Sequence, residues 1–219
     1  MKRIAVVLVL AVMAVSMVSA LEYNGGFLVQ GVKRNLAVDG GESGYDIMAI
    51  GGQIVFGIDD PATGIGMISN LGVAGAWKKS LNGMAFSSEP DAPRANVYDY
   101  NAALGVKWEH FFNGFVLYAD VHLSWDSVAF QKGTVQEWKR LSFHTLGLGW
   151  TAGASFTFGS SGVSGRTRMM IGLSGDYGLL SFTAKRSRVH WDTSSAVYEK
   201  IDASSSAYKV IVGVLAGFY

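Results

Sequence analysis

The chain has 219 residues, 49% of them apolar and only 16% charged, with 28 glycines, three prolines and no cysteine. Average proteins carry about 25% charged residues and about 7% glycine, so this composition is too apolar and aromatic for disorder and too poor in charge to clothe an ordinary water-soluble domain. The missing cysteines exclude a disulfide scaffold, and 18 basic residues against 17 acidic ones, or 16 against 17 once Lys2 and Arg3 at the start are set aside, leave no basic excess for a nucleic-acid binder.

Met1, Lys2 and Arg3 form a basic start, Ile4 to Val15 is an apolar run, and Val18-Ser19-Ala20 is a small-residue cleavage site. Residues 1–20 therefore read as a signal peptide, an export address outside the fold, and residues 21–219 as one domain. Beyond the signal no uncharged apolar run reaches the ~18 residues a membrane-spanning helix needs.

From Leu21 onward the pattern has a period of two. Eight segments carry it: roughly 25–33, 45–58, 66–78, 97–111, 114–127, 140–158, 166–185 and 206–219. The clearest is the fifth, where Phe115, Leu117, Ala119, Val121, Leu123 and Trp125 alternate with Val116, Tyr118, Asp120, His122, Ser124 and Asp126. Successive strand residues point to opposite faces, so one face here is apolar and the other mostly polar. The connections alternate as well. Asp59 to Gly64, Phe112-Asn113-Gly114 and Gly159 to Gly165 are short, whereas 34–44, 79–96, 128–139 and 186–205 are longer and polar. An even strand count with short turns at one end and long loops at the other is the layout of an up-and-down transmembrane β-barrel.

Aromatic residues and cations segregate along the same axis. Tyr45, Trp77, Tyr98, Tyr100 and Trp125 fall near the loop end, and Phe27, Phe56, Trp108, Phe112, Phe115, Phe156, Phe158, Phe218 and Tyr219 near the turn end, as two interfacial belts would. Twelve of the 16 basic residues that remain after Lys2 and Arg3 lie on or beside the long loops. Among them Lys33, Arg34, Lys79, Lys139, Arg140, Lys185 and Arg186 are the expected rim for anionic lipid headgroups.

These features resemble the small eight-stranded outer-membrane proteins of diderm bacteria, the OmpA, OmpX and OmpW type. The most specific piece is the terminus Gly217-Phe218-Tyr219, a last strand ending in aromatic residues. By that resemblance Phe218 and Tyr219 are the signal read by the barrel assembly machinery, and the location is the bacterial outer membrane. The last strand is apolar on both faces, since Val210, Val212, Val214, Ala216 and Phe218 compete with Ile211, Leu215 and Tyr219. Its register stays open at this point.

If the apolar faces meet lipid, Lys78, Asp99, Lys107, Glu109, Asp120, His122, Arg168 and Asp176 point into the lumen, and the first and last strands contribute an apolar wall. Many inward positions are glycine or alanine, among them Ala49, Gly51, Gly72, Gly149, Gly153, Gly172 and Gly178, which leaves volume unless larger neighbours fill it. The resulting expectation is a narrow channel or binder for a small apolar or amphipathic solute, as the OmpW resemblance implies. The alternative is a closed structural barrel whose loops contact host, matrix or lipopolysaccharide. Asp120, His122, Ser124 and Asp126 share one strand face, but residues two apart lie ~6.6 Å apart along a strand, too far for an easy nucleophile-to-base bond. Any lumen-facing strand supplies such a row, so no enzyme is expected; an outer-membrane lipid-modifying enzyme, from the resemblance of His122-x-Ser124 to the lipid A deacylases, is the minor alternative. No cofactor is expected either, and His110, His144 and His190 do not cluster with carboxylates at metal-ligand spacing.

Overall fold

The structure, a computed structural model, describes residues 21–38, 43–81, 84–85, 96–133, 137–158, 166–189, 192–194 and 197–218. Residues 1–20, expected as a signal peptide, and Tyr219 lie outside them. Eight long strands make the fold: β1 (Glu22–Val38), β2 (Ser43–Asp60), β3 (Ile65–Leu81), β4 (Asn96–Phe111), β5 (Phe115–Gly133), β6 (Glu137–Phe158), β7 (Arg166–Val189) and β8 (Ala203–Phe218). Each pairs antiparallel with the next in sequence, and β8 pairs with β1. The result is the all-β, eight-stranded up-and-down barrel that the alternation predicts. Short strands extend two of these eight at the loop end: Met84–Ala85 on β3, and Asp192–Thr193 and Val197–Lys200 on β7.

The period-two faces sort as their chemistry requires. Val121 and Leu123 on β5, Leu148 on β6 and Leu173 on β7 are exposed on the outer wall, while Asp120, His122, Ser124 and Asp126 between them are buried inside. Rings frame this apolar wall at both ends. At the turn end Trp108, His110, Phe112, Phe115 and Phe156 contact one another in sequence at centroid spacings of 4.6–6.4 Å. At the loop end Trp125, His144, Phe182 and Tyr198 do the same. The histidines at 110 and 144 are thus members of the belts. Tyr45, expected in the loop-end belt, instead faces inward against Phe130 and Phe143. The turn-end connections are tight: Gly64 and Gly114 take φ of 69° and 91°, where a Cβ would be strained.

Toward the loops the strands run further than their hydrophobic pattern. β6 has 22 residues and β7 has 24, against the ~9–11 that a tilted membrane strand needs. Most of the segments 34–44 and 128–139, expected as loops, are strand: Asn35 pairs with Asp46, and Gly133 with Trp138. Above the membrane band water can reach both faces, so pairing continues without alternation.

Two β-bulges reset the faces. Ala49 pairs with Ala76 and Met48 with Lys78, which leaves Trp77 as an extra residue; Gly147 pairs with Gly178 and Leu146 with Leu180, which leaves Leu179. One extra residue turns all later side chains on that strand to the other face. Lys78, expected in the lumen, is therefore exposed on the outer wall, and Lys79, expected on the rim, shares the inward face of buried Ile47.

Candidate functional site: the barrel interior

The two seam strands are not the apolar wall that their composition suggests. β1 sends Glu22, Asn24, Leu28, Gln30, Val32, Arg34, Leu36 and Val38 inward and Tyr23, Phe27, Val29 and Lys33 outward. β8 sends Ser205, Ala207, Lys209, Ile211 and Leu215 inward, with Tyr208, Val210 and Val214 on the outer wall. Arg34, expected among the headgroup cations, is only 1% exposed and lies deep in the lumen. A long cation one residue from exposed Lys33 gives no hint of this by itself; the buried carboxylates on the opposite wall decide it.

Those carboxylates assemble one continuous chain of contacts. Arg34 donates to Asp99 of β4 through Nε and Nη2 at 2.5 and 3.0 Å, to Asp126 of β5 at 2.7 Å, and to Ser205 of β8 at 3.2 Å. Lys209 stands 3.8 Å from Asp126 and 2.5 Å from Asp176 of β7. His122 continues the chain, with Nε2 at 2.8 Å from Asp176 and Nδ1 at 2.5 Å from Asp120. Asp99, Asp120, Asp126 and Asp176 all come from β4, β5 and β7, whereas Arg34 and Lys209 come from β1 and β8. Buried charges persist only when paired and hydrogen-bonded, and here the pairing crosses the lumen.

A second network lies at the turn end. Arg168 donates to Glu109 at 2.7 Å and to Glu22 at 3.0 Å, and its guanidinium lies 5.6 Å from the Phe111 ring centroid. Lys107 bridges Glu109 at 3.0 Å and Asp59 at 2.6 Å, and Asn24 donates to Asp59 as well. Sequence reasoning missed Glu22, Asp59 and Lys209. Glu22 opens β1 and Asp59 sits at the end of β2 beside a turn, and Lys209 follows a tyrosine in a strand dominated by valine.

Apolar layers separate and cap these networks. Leu28, Val55, Ile68, Tyr118, Met170, Ile211 and Leu215 cluster in one of them. Val32, Ile47, Val97 and Val128 form another, and Leu36, Val38 and Phe143 pack with Tyr45, Phe130 and Ile201 nearest the loops. Read up β1, the inward order is Glu22, Asn24, Leu28, Gln30, Val32, Arg34, Leu36 and Val38, charged and greasy levels in turn.

The lumen glycines are floors beneath larger side chains. A Cβ on Gly149 would strike His122 and Asp176, one on Gly72 would strike Asn101 and Gln30, and one on Gly153 or Gly172 would strike the Tyr118 hydroxyl. Gln30 in turn donates to Asn101 at 3.1 Å, which donates to Asn70 at 3.0 Å. The volume that these glycines leave is occupied. The apolar grooves of about 460–500 Å³ at Tyr23, Phe56, Met67 and Leu104, and at Leu104, Val121 and Leu148, are lined mainly by outer-wall side chains.

The interior is not arranged as a nucleophile and its base. Both ring nitrogens of His122 face carboxylates, and the buried Ser124 Oγ makes no hydrogen bond. Among the described residues no three His, Cys, Asp or Glu side chains gather as metal ligands. Of the expected headgroup cations, Lys33 and Lys185 are exposed. Arg140 donates to Gln131 at 3.0 Å. The side chains of Lys139, Arg186 and Phe218 lie outside the described residues.

Solved structures share this architecture. The chain has the fold of the small eight-stranded outer-membrane barrels. It is similar to a major outer membrane protein from Thermus thermophilus, at 15% identity and a TM-score of 0.54 over 89% of this chain and 99% of that one. Neisserial surface protein A matches at 11% identity and a TM-score of 0.45 over 87% and 95% of the two chains. The attachment invasion locus protein Ail of Yersinia pestis, in complex with the heparin analogue sucrose octasulfate, matches at 12% and 0.42 over 88% and 98%. No family model matches the sequence, and no curated protein does.

Proposed function

We propose that the chain is an integral protein of the bacterial outer membrane with a closed barrel, a structural element that presents its tall loop-end strands outside. The observation that carries this reading is the ion-pair chain from Asp99 through Arg34, Asp126, Lys209, Asp176 and His122 to Asp120, which spans the lumen between opposite walls. An eight-stranded barrel is just wide enough for its own side chains to fill it or to hold one small ligand, and the polar chain with its apolar caps supports the first outcome. The apolar and aromatic outer wall supports residence in a bilayer, since each outward face would be costly in water. Lipid is then the partner along the wall. The export address in residues 1–20 and the aromatic terminus at Phe218 and Tyr219 fit delivery to an outer membrane and its assembly machinery.

The competing reading is a narrow channel or binder for small apolar solutes. Liposome swelling and solute-induced melting shifts on refolded protein separate the two. A closed barrel gives swelling equal to empty liposomes for sugars and amino acids, and no shift with toluene-sized solutes. Swelling above that background, or a saturable shift, overturns it.

A further inference from the structure

The bulge at Trp77 has a product on the outer wall. It turns Lys78 away from the lumen into a row that crosses four strands: Tyr208 of β8 pairs with Lys33 of β1, Lys33 with Met48 of β2, and Met48 with Lys78 of β3. Opposed residues in an antiparallel ladder share a face, so all four side chains stand on the membrane side. Lys33 and Lys78 are both exposed, and neither has a hydrogen-bond or ion-pair partner among the described residues. The hydroxyls of Tyr177 and Tyr208 lie 3.4 Å apart beside the row, and Trp77 is 61% exposed at the bulge itself. Asp46, one pleat nearer the loops on β2, is the neighbouring carboxylate on this wall.

We propose that Lys33 and Lys78 form a phosphate-binding site for one lipid headgroup, seated over Met48 at the loop-end boundary of the membrane. Lysine on the wall of a barrel is unfavourable at the midplane and nearly free of cost at the interface, which fixes the level of this pair at the headgroups. Neighbouring strands lie ~4.8 Å apart, so the two backbones stand ~10 Å apart across β2. Two flexible four-carbon stems close that distance onto a single phosphate, and the Tyr208 hydroxyl, which accepts from Tyr177, keeps its own O–H as a neutral donor in the same row. Free inorganic phosphate offers the same charge without acyl chains; the apolar wall below Met48 favours the lipid. Bulges re-aim side chains at functional positions, and this one converts a lumen cation into the second half of the site. The site rests on the membrane reading of the wall but is independent of whether the lumen is closed.

Native mass spectrometry of the refolded barrel released from neutral detergent tests it, with short-chain phosphatidic acid as probe and phosphatidylcholine of equal chain length and inorganic phosphate as controls. The parent is expected to retain one phosphatidic acid in preference to either control. At roughly 1 kcal/mol per cation near a charged surface, Lys33→Gln or Lys78→Gln weakens retention ~5-fold and the double variant ~25-fold, whereas Lys200→Gln matches the parent. Equal retention by the parent and the double variant overturns the proposal. Equal binding of phosphatidylcholine makes the contact one of chains alone, equal competition by inorganic phosphate makes it a free-anion site, and either result also overturns it. A boiling-dependent mobility shift on gels, present in every variant, shows separately that the barrel itself is intact.

Discussion

The wall made by β4 to β7 and the seam made by β1 and β8 achieve the same sidedness by different means. In the wall each strand carries its own contrast: β5 sets Val121, Leu123 and Trp125 against Asp120, His122 and Asp126, and either set alone would orient it. At the seam the contrast is borrowed. From Lys209 to Phe218 β8 is apolar on both faces except for Lys209 itself, and β1 is oriented by Glu22, Gln30 and Arg34, whose partners are all on other strands. Strand sidedness can therefore reside in a few long-range charge contacts: Asp120 and Asp176 share His122 of the wall itself, whereas among the described residues Asp99 and Asp126 are paired only by Arg34 and Lys209 from the seam.

This contrast can be broken at graded cost. Arg34→Met leaves Asp99 and Asp126 buried without their principal partner, and removal of one member of a buried pair costs roughly 3–5 kcal/mol; the midpoint of urea unfolding of the refolded barrel should fall by far more than for any single wall substitution. Val121→Arg, at an exposed position between the Phe115 and Trp125 belts, challenges the outer face of the wall instead. A cation near the middle of the bilayer costs about 2–4 kcal/mol, so the loss should appear in lipid vesicles and shrink strongly in small micelles. Gly172→Ala probes the filled lumen: its Cβ meets the Tyr118 hydroxyl, and overpacking of this kind costs about 1–3 kcal/mol. An open lumen would absorb the methyl group with no change in unfolding midpoint. Smallest is Lys78→Gln, a substitution of an exposed side chain, expected within about 0.5 kcal/mol in the same unfolding assay; a larger loss would mean that the bulge holds Lys78 in an internal contact.

The fold was legible because eight alternating segments, a tight Asn113-Gly114 turn and two aromatic belts all point the same way. The ends of the strands were not. Asn35 to Val38 and Gln131 to Gly133 read as loop because polar residues above the membrane band erase the alternation while backbone pairing goes on. Of the interior, Asp99, Lys107, Glu109, Asp120, His122, Arg168 and Asp176 sit where strict parity puts them. Lys78 and Lys79 trade faces because one inserted residue, Trp77, is indistinguishable in sequence from a regular strand position. Arg34 was misplaced for another reason: beside Lys33 it looks like a rim cation, and only the distant Asp99 and Asp126 show that the lumen has a use for it. The lumen glycines likewise look like empty volume until the cross-strand neighbours His122, Asn101 and Tyr118 are seen lying over them.

Planar-bilayer recording on the refolded protein tests the closed interior most directly. An ion-paired, capped lumen predicts a trace indistinguishable from the bare bilayer at moderate voltage, with current steps emerging only when Arg34 and Lys209 are both replaced by alanine. Stepwise conductance from the unmodified protein would contradict it.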